Sequence, residues 1–362
     1  MKGKILLLFV VLAFSLLGCD YKDIDKRFFV LGIGVDKGED HNYRVTCKLA
    51  TPSGDPKVDK AESIQLTEEA DTIAEAIELI AAGVDKELEF GHTKIIVLGK
   101  DIVKEDVRDL VDWFTRRRDI QQIAWVAVGD PSAERILNLQ PGHEKFPANT
   151  LFSLFGREGT EVANVSSEFL FEFRRELYER GVDAVLPNIK IKNKNFSVKS
   201  LVIFNEGKQK IELSGEQAKR YNTLANEMDE FSVRVKAEDL DFVVLADELD
   251  TSYSLHIHQS GKAYIDYEIR FKGTVQESKN LLYRNKIHKY EKMTQESIRK
   301  NMEELLKNLQ EEQVDPIGWG LRYRATHKGA EEPKIDEWKR IYPDIAFKIN
   351  VKTDINSTGL IY

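Results

Sequence analysis

The chain has 362 residues, 42% of them hydrophobic and 31% charged, and a net charge of −8. That length suggests two or three domains, and the composition is that of a folded protein, not a disordered one. The acidic balance argues against nucleic acid as a partner and against electrostatic adhesion to anionic lipid.

Lys2 and Lys4 precede an apolar run of 13 residues, from Ile5 to Leu17, that ends in Leu16-Leu17-Gly18-Cys19. A basic start, a short apolar stretch, a small residue and then cysteine form a secretory signal with a lipobox. Thirteen residues fall short of the roughly 20 that a spanning helix needs. An Ala-x-Ala site for cleavage without lipidation is absent from this region. The reading places the mature N-terminus at an acylated Cys19, with residues 1–18 removed and 19–27 as a charged tether. Loss of Lys2 and Lys4 takes the net charge to −10. Two acyl chains, at about 0.8 kcal/mol per buried CH₂, suffice for stable anchoring in a bilayer. With Cys19 lipidated, Cys47 has no disulfide partner and reads as a small buried residue.

Residues 27–35 read as a strand, 36–40 as a turn and 43–50 as the second strand of a hairpin. Residues 51–62 read as an exposed loop. Thr72-x-x-Glu75 is a capping-box pattern, and Ile73, Ile77, Ile80, Val84 and Leu88 mark a helical stripe. A strand at 94–98, a helix at 103–117, a strand at 122–128 and a helix from Pro131 to Leu137 follow. This alternation is an α/β signature, so 28–138 forms an N-terminal α/β domain.

Residues 140–165 are irregular. A helix then runs from Ser166/Ser167 to about Arg180, with Phe169, Phe173 and Leu177 on one face. Strands at 185–191 and 198–204 complete a middle domain, 139–205, with Lys190-x-Lys192-x-Lys194 as a solvated edge. A C-terminal α+β domain, 206–362, opens with a helix at 215–226. Strands follow at 231–235, 242–245, 253–258 and 263–271. In the last of these, Ile265, Tyr267, Ile269 and Phe271 alternate with charged residues, which marks a half-buried antiparallel strand. The longest helical pattern, 277–313, carries Ile287, Tyr290, Ile298, Met302, Leu305 and Leu309 and stops at Asp315-Pro316. A short helix near 337–341 and a strand at 345–351 close the chain. The fold class is therefore mixed α/β and α+β. A lipoprotein signal precedes three small domains with mixed and antiparallel sheets, the last holding one long helix.

Few residue patterns suggest chemistry. Gly32-Ile-Gly34-Val-Asp36 lacks the third glycine of a dinucleotide loop and runs into a turn, so its glycines read as close packing on a strand. His256-x-His258 places two imidazoles on one strand face without a third metal ligand nearby. Asp247-Glu248-x-Asp250 reads as a turn. Arg116-Arg117-Arg118 after Trp113 suits a helix C-terminus through the dipole, and is also the chemistry of an anion or partner contact. The sequence therefore suggests no catalytic constellation, no metal site and no cofactor.

The order of the motifs is more specific than any one of them. The lipobox and tether are followed by Phe29-Val-Leu-Gly-Ile-Gly-Val-Asp36, then Arg44-Val-Thr with Ala50-x-Pro52. Gly91-His92-x-Lys94-Ile-Ile-Val-Leu-Gly99 comes next, and Asp315-Pro316-Ile-Gly318 with Tyr323 and Trp338 comes last. In this order they resemble the Ger(x)C family of spore germination lipoproteins over essentially the whole chain. Tyr21 stands where that family often has Trp, and Leu17 is an unusual lipobox residue.

The resemblance implies a three-domain α/β fold and a non-enzymatic C subunit of a nutrient germinant receptor. It implies anchoring through Cys19 on the outer face of the spore inner membrane, with the membrane-associated A and B subunits as partners. Because Trp and Arg are enriched at binding hot spots, Trp113, Arg116, Arg117 and Trp319 are the expected interface residues. A substrate-binding lipoprotein of a transporter is the alternative, but it needs two similar lobes, and the strand-rich last third does not mirror the first.

Overall fold

The computed structural model describes residues 26–50, 63–141, 151, 154–155, 168–225, 232–237, 240–257, 263–327 and 331–357. The lipobox residues Leu16, Leu17 and Gly18, the lipidation site Cys19, nearly all of the tether, the 51–62 loop and His258 lie outside the described residues. So does most of the irregular stretch 140–165.

Two sheets organise the described residues. The first has the strand order β10-β9-β8-β6-β5-β1-β2-β3, with β4 paired to β1 and β7 to β6. Its centre is parallel: β1 (Arg27–Lys37), β5 (Ile95–Gly99), β6 (Trp125–Asp130) and β8 (Val185–Lys192) run the same way. The register sets Gly32 beside Ile95 and Ile95 beside Trp125. Every residue of β5 is buried, as expected for a strand covered on both faces. Antiparallel strands flank this centre: β2 (Tyr43–Ala50) and β3 (Ser63–Ala70) on one side, β9 (Asn195–Asn205) and β10 (Lys208–Ser214) on the other. The strands of 139–205 thus extend the first sheet instead of forming a sheet of their own. The short β4 (Glu87–Glu89) and β7 (Glu168–Phe169) lie off this path.

Alternation along the strands feeds two cores. Ile96 and Leu98 face a cluster with α1 (Ile73–Ala82), α2 (Arg108–Arg116) and α4 (Leu170–Tyr178). Ile95 and Val97 face α3 (Ala133–Asn138) on the other side. The Thr72 side chain caps α1 by accepting from Glu75 N at 3.1 Å, and Ser132 caps α3 by accepting from Arg135 N at 3.2 Å. The α1 helix ends at Gly83, so the expected stripe stops at Ile80; Val84 lies past the cap and Leu88 belongs to β4. Only Arg108–Arg116 of the expected 103–117 helix is α-helical, after a separate 3₁₀ turn at Ile102–Lys104.

The second sheet has the order β11-β12-β13-β14. β11 (Ser232–Ala237), β12 (Leu240–Ile257) and β13 (Ala263–Ser278) form antiparallel pairs, and β14 (Ala346–Ser357) runs parallel to β13. Asp247-Glu248-x-Asp250 is not a turn. It lies inside the 18-residue β12 at a register shift between Ala246 and Glu248. Its charges are met across the strand pair, with Lys272 Nζ donating to Glu248 at 3.0 Å and Thr274 Oγ1 to Asp247 at 3.2 Å.

The long helix α6 (Ile287–Glu311) crosses this sheet and buries Tyr290, Ile298, Met302, Leu305 and Leu309. It starts later than expected because residues up to Ser278 continue β13. The helices α7 (Trp319–Thr326) and α8 (Glu331–Ile341) complete the crossover to β14.

The two sheets share one core. Leu201 and Ile203 of β9 and Leu213 of β10 pack with Tyr221 and Leu224 of α5 (Gly215–Ala225) and with the C-terminal cluster around Tyr267 and Trp319. The ten-stranded mixed sheet and the four-stranded sheet are not copies of one lobe.

Candidate partner surface and the buried junction

Burial of Leu110, Val111 and Phe114 orients α2 and leaves its other residues toward solvent. Trp113 is half-buried and meets Phe114 edge-on at 5.0 Å. The Arg117 guanidinium lies 4.4 Å from the Phe90 ring centre and 5.4 Å from that of Trp113. Its Nε also donates to Asp119 at 2.9 Å. Two aromatic faces and a carboxylate hold this side chain in place. Arg116, the last residue of the helix, is different: its side chain is 82% exposed and comes no closer than 3.7 Å to Asp112. An exposed pair of that length contributes little, so the guanidinium remains available to another molecule.

Trp319, the fourth expected interface residue, is 0% exposed. Its indole Nε1 donates to Tyr267 Oη at 2.9 Å, and its ring packs against Tyr342 and Phe347. It is a core residue of the C-terminal unit and presents nothing to a partner. The composition of binding hot spots cannot tell a buried Trp from an exposed one; the loop geometry decides here.

That geometry comes from Asp315. Its Oδ1 accepts from Gly318 N and Trp319 N, each at 2.9 Å, and its Oδ2 accepts from Gly320 N at 2.7 Å. Gly318, with φ +80°, turns the chain into α7. Burial pushes the Asp315 carboxyl up to about 7, against the pull of these three donors. Asp315 N donates to Asp183 Oδ2 at 2.6 Å, and Asp183 N donates back to Asp315 O at 2.9 Å. Asp183, just ahead of β8, also accepts from Asn205 Nδ2 at 2.9 Å, and burial raises its pKa.

Leu321 N donates to Gly181 O at 2.7 Å, and a side chain at Gly320 would collide with Trp338 and with Gly181. Arg324 pairs with Glu179 in the same seam. Tyr221 Oη and Tyr342 Oη donate to the carbonyls of Pro316 and Val314 at 3.2 and 2.7 Å. The Asp315-Pro316-Ile-Gly318 motif is thus the clasp between the first sheet and the C-terminal unit. Nothing in the sequence pointed to Asp183 as its counterpart, because the two are 132 positions apart.

The remaining candidates are structural. Gly34 lies under α3, where a Cβ would come within 3.0 Å of Ala133 Cβ and 3.1 Å of Leu137. Asp36, at the end of the same motif, is buried and accepts from Ala133 N and Glu134 N at 2.8 and 2.9 Å, so it too fixes α3. Cys47 is fully buried, and burial pushes its thiol up to about 12. His256 is exposed and stacks on Tyr264, with ring centres 4.6 Å apart. Lys190 bonds Glu212 at 2.7 Å. Among the described residues no group of three or more His, Cys, Asp or Glu side chains is placed to hold a metal ion, and no helix is long and apolar enough to cross a membrane.

The structure thus defines a mixed α/β body of two sheets clasped through a buried Asp-Pro-x-Gly loop. The family assignment is direct. Residues 20–191 match the model of the spore germination protein N-terminal domain, and residues 199–359 match that of the spore germination B3/GerAC-like C-terminal domain. The chain belongs to the Ger(x)C family of spore germination proteins.

Putative spore germination protein YfkR of Bacillus subtilis (strain 168) is 23% identical, over 98% of this chain and 96% of its own length. Spore germination protein GerQC of Bacillus cereus is 20% identical, over 98% of each chain. The crystal structure of the GerBC protein superposes with a TM-score of 0.60 at 15% identity, covering 90% of this chain and 97% of that one. That likeness shows the fold.

Proposed function

We propose that this chain is the lipid-anchored C subunit of a spore nutrient germinant receptor. In this reading it sits on the outer face of the spore inner membrane and acts through docking to the A and B membrane subunits, without catalysis. The observation that carries the reading is the co-linear match of both family models, which together reach from residue 20 to residue 359. The lipobox ending at Cys19 supports the anchor, and the exposed Arg116 beside the half-buried Trp113 supports a docking surface. Arg117 holds that surface in shape.

The test is Cys19→Ala, scored for membrane partitioning and for nutrient-triggered germination. The proposal expects release of the chain from the membrane and a germination defect. Retention on the membrane in the absence of the other subunits would overturn the anchor. A Trp113→Ala/Arg116→Ala pair should weaken co-purification with the A and B subunits while leaving the fold intact; unchanged assembly and germination would remove this surface from the proposal.

A further inference from the structure

One end of the first sheet carries apolar surface that its cores do not use. Ile123 is 60% exposed and Phe171 43% exposed. They are neighbours, because Phe171 N donates to the carbonyl of Gln122 at 3.1 Å. Behind them runs an aromatic row: Phe171 stacks on Phe169 at 6.0 Å between ring centres, and Phe169 on Trp125 at 6.2 Å. Lys94 is exposed, and its carbonyl accepts from Trp125 N. Exposed aliphatic and aromatic side chains with a lysine beside them are the composition that settles at a membrane–water interface.

The place of this cluster selects the occupant. Trp125 begins β6, Ile95 begins β5, and both run parallel to β1, which the chain enters at Arg27. The cluster therefore lies at the end of the sheet where the chain arrives from Cys19. Eight residue-to-residue steps lead from Cys19 to Arg27. Fully extended they span at most about 26–29 Å. Neighbouring strands are about 4.8 Å apart and Trp125 is level with Gly32, so β6 starts about 10 Å to the side of β1 and about 17 Å along it from Arg27, still within that reach. A chain held by lipid at Cys19 keeps this end, and not the opposite one, within reach of the bilayer. The body is acidic, so adhesion there depends on apolar contact more than on charge.

We infer that the entry end of β1, β5 and β6 rests on the bilayer, with Ile123 and Phe171 in the headgroup–acyl boundary and Lys94 among the phosphates. The inference rests on the lipid anchor proposed above. It gives the anchored body a defined orientation, with the turn at 38–42 pointing away from the membrane.

The test uses the full acylated chain in phosphatidylethanolamine–phosphatidylglycerol vesicles. An environment-sensitive fluorophore is placed at Ile123→Cys, at Phe171→Cys and, as the far-end control, at Glu39→Cys. Cys47 does not compete for label, being fully buried. On reconstitution, the probes at 123 and 171 should shift to shorter emission wavelength and be quenched by doxyl lipid, and the probe at 39 should do neither. A chain that floats with vesicles but leaves all three probes unchanged overturns the orientation and keeps the anchor. A chain that does not float with vesicles overturns the anchor, and the orientation with it. A shift at 123 that appears only when membrane subunits are added assigns the patch to a protein partner and overturns the inference. Two independent positions keep the test valid if one labelled variant misfolds.

Discussion

Asp315→Ala is the most informative single change. It removes the acceptor of three backbone N–H groups at Gly318, Trp319 and Gly320, all inside the core. A buried donor left without a partner costs about 1–3 kcal/mol. Three such donors set an upper range of about 3–9 kcal/mol, and a water entering the vacated space would return part of it. We expect a loss of about 3–5 kcal/mol, a large fraction of the stability of an ordinary domain. The measurement is urea unfolding at pH 5, followed by tryptophan fluorescence. At that pH the native carboxyl is largely protonated, since burial holds it near 7, so relief of a buried charge does not mask the loss. Trp319 reports locally, because its indole is held by Tyr267 next to the broken clasp. A loss below about 1 kcal/mol, with unchanged emission from the native state, would refute the role of these three bonds.

Three further outcomes are expected. The Asp315 carboxyl is raised in the folded state from 3.8 to about 7, so its contribution is complete below pH 4 and falls as pH rises through 7; Asp315→Asn should flatten that part of the stability profile, leaving the smaller slope of the same sign that Asp183 contributes, and an unchanged profile would be the contrary result. Lys48 is buried, donates to Leu137 O and is lowered by burial from 10.5 to about 8; the unfolded chain binds the extra proton between those values, so stability should rise by up to about 3 kcal/mol across pH 8–10.5, and Lys48→Met should abolish the rise in a denaturation series. Gly34→Val forces a branched side chain against Ala133 and Leu137; overpacking of this kind costs about 1–3 kcal/mol and should lower the melting temperature, whereas a neutral result would show that α3 can shift freely.

Elements with a strong internal pattern were legible in the sequence. The Thr72 cap, the alternation from Ile265 to Phe271 and the stripe of α6 all rest on contacts within one element or between near neighbours. β3 was not legible because Ser63–Ala70 is mostly polar and offers only Ile64, Leu66 and Ala70 as apolar residues; it is a strand because β2 presents a free edge to pair with. Asp247–Asp250 was misread as a turn because acidic clusters favour turns, and only cross-strand lysine, arginine and threonine make them tolerable in β12. The helix α7 was missed because its start depends on the Asp315 carboxylate and not on a helical stripe. At the candidate surface, residue type selects Arg116, Arg117 and Trp319 alike and could not distinguish the exposed Arg116 from the caged Arg117 or the buried Trp319. Such distinctions depend on long-range packing, which a pattern along the chain does not contain.

The parallel pairing of β13 with β14 has a consequence for how the molecule is made. β13 ends at Ser278 and its neighbour begins only at Ala346, after three helices. Pairing over that separation must wait until almost all of the polypeptide exists, and loop closure of this kind is slow. Until β14 (Ala346–Ser357) arrives, one edge of β13 stays open and Ile349 and Ile355 are missing from the core. For a chain exported and lipidated as proposed above, the far end is therefore the latch: the start is fixed in place while the C-terminal sheet is still incomplete, and a truncation at Ala346 would leave a tethered body with an adhesive edge.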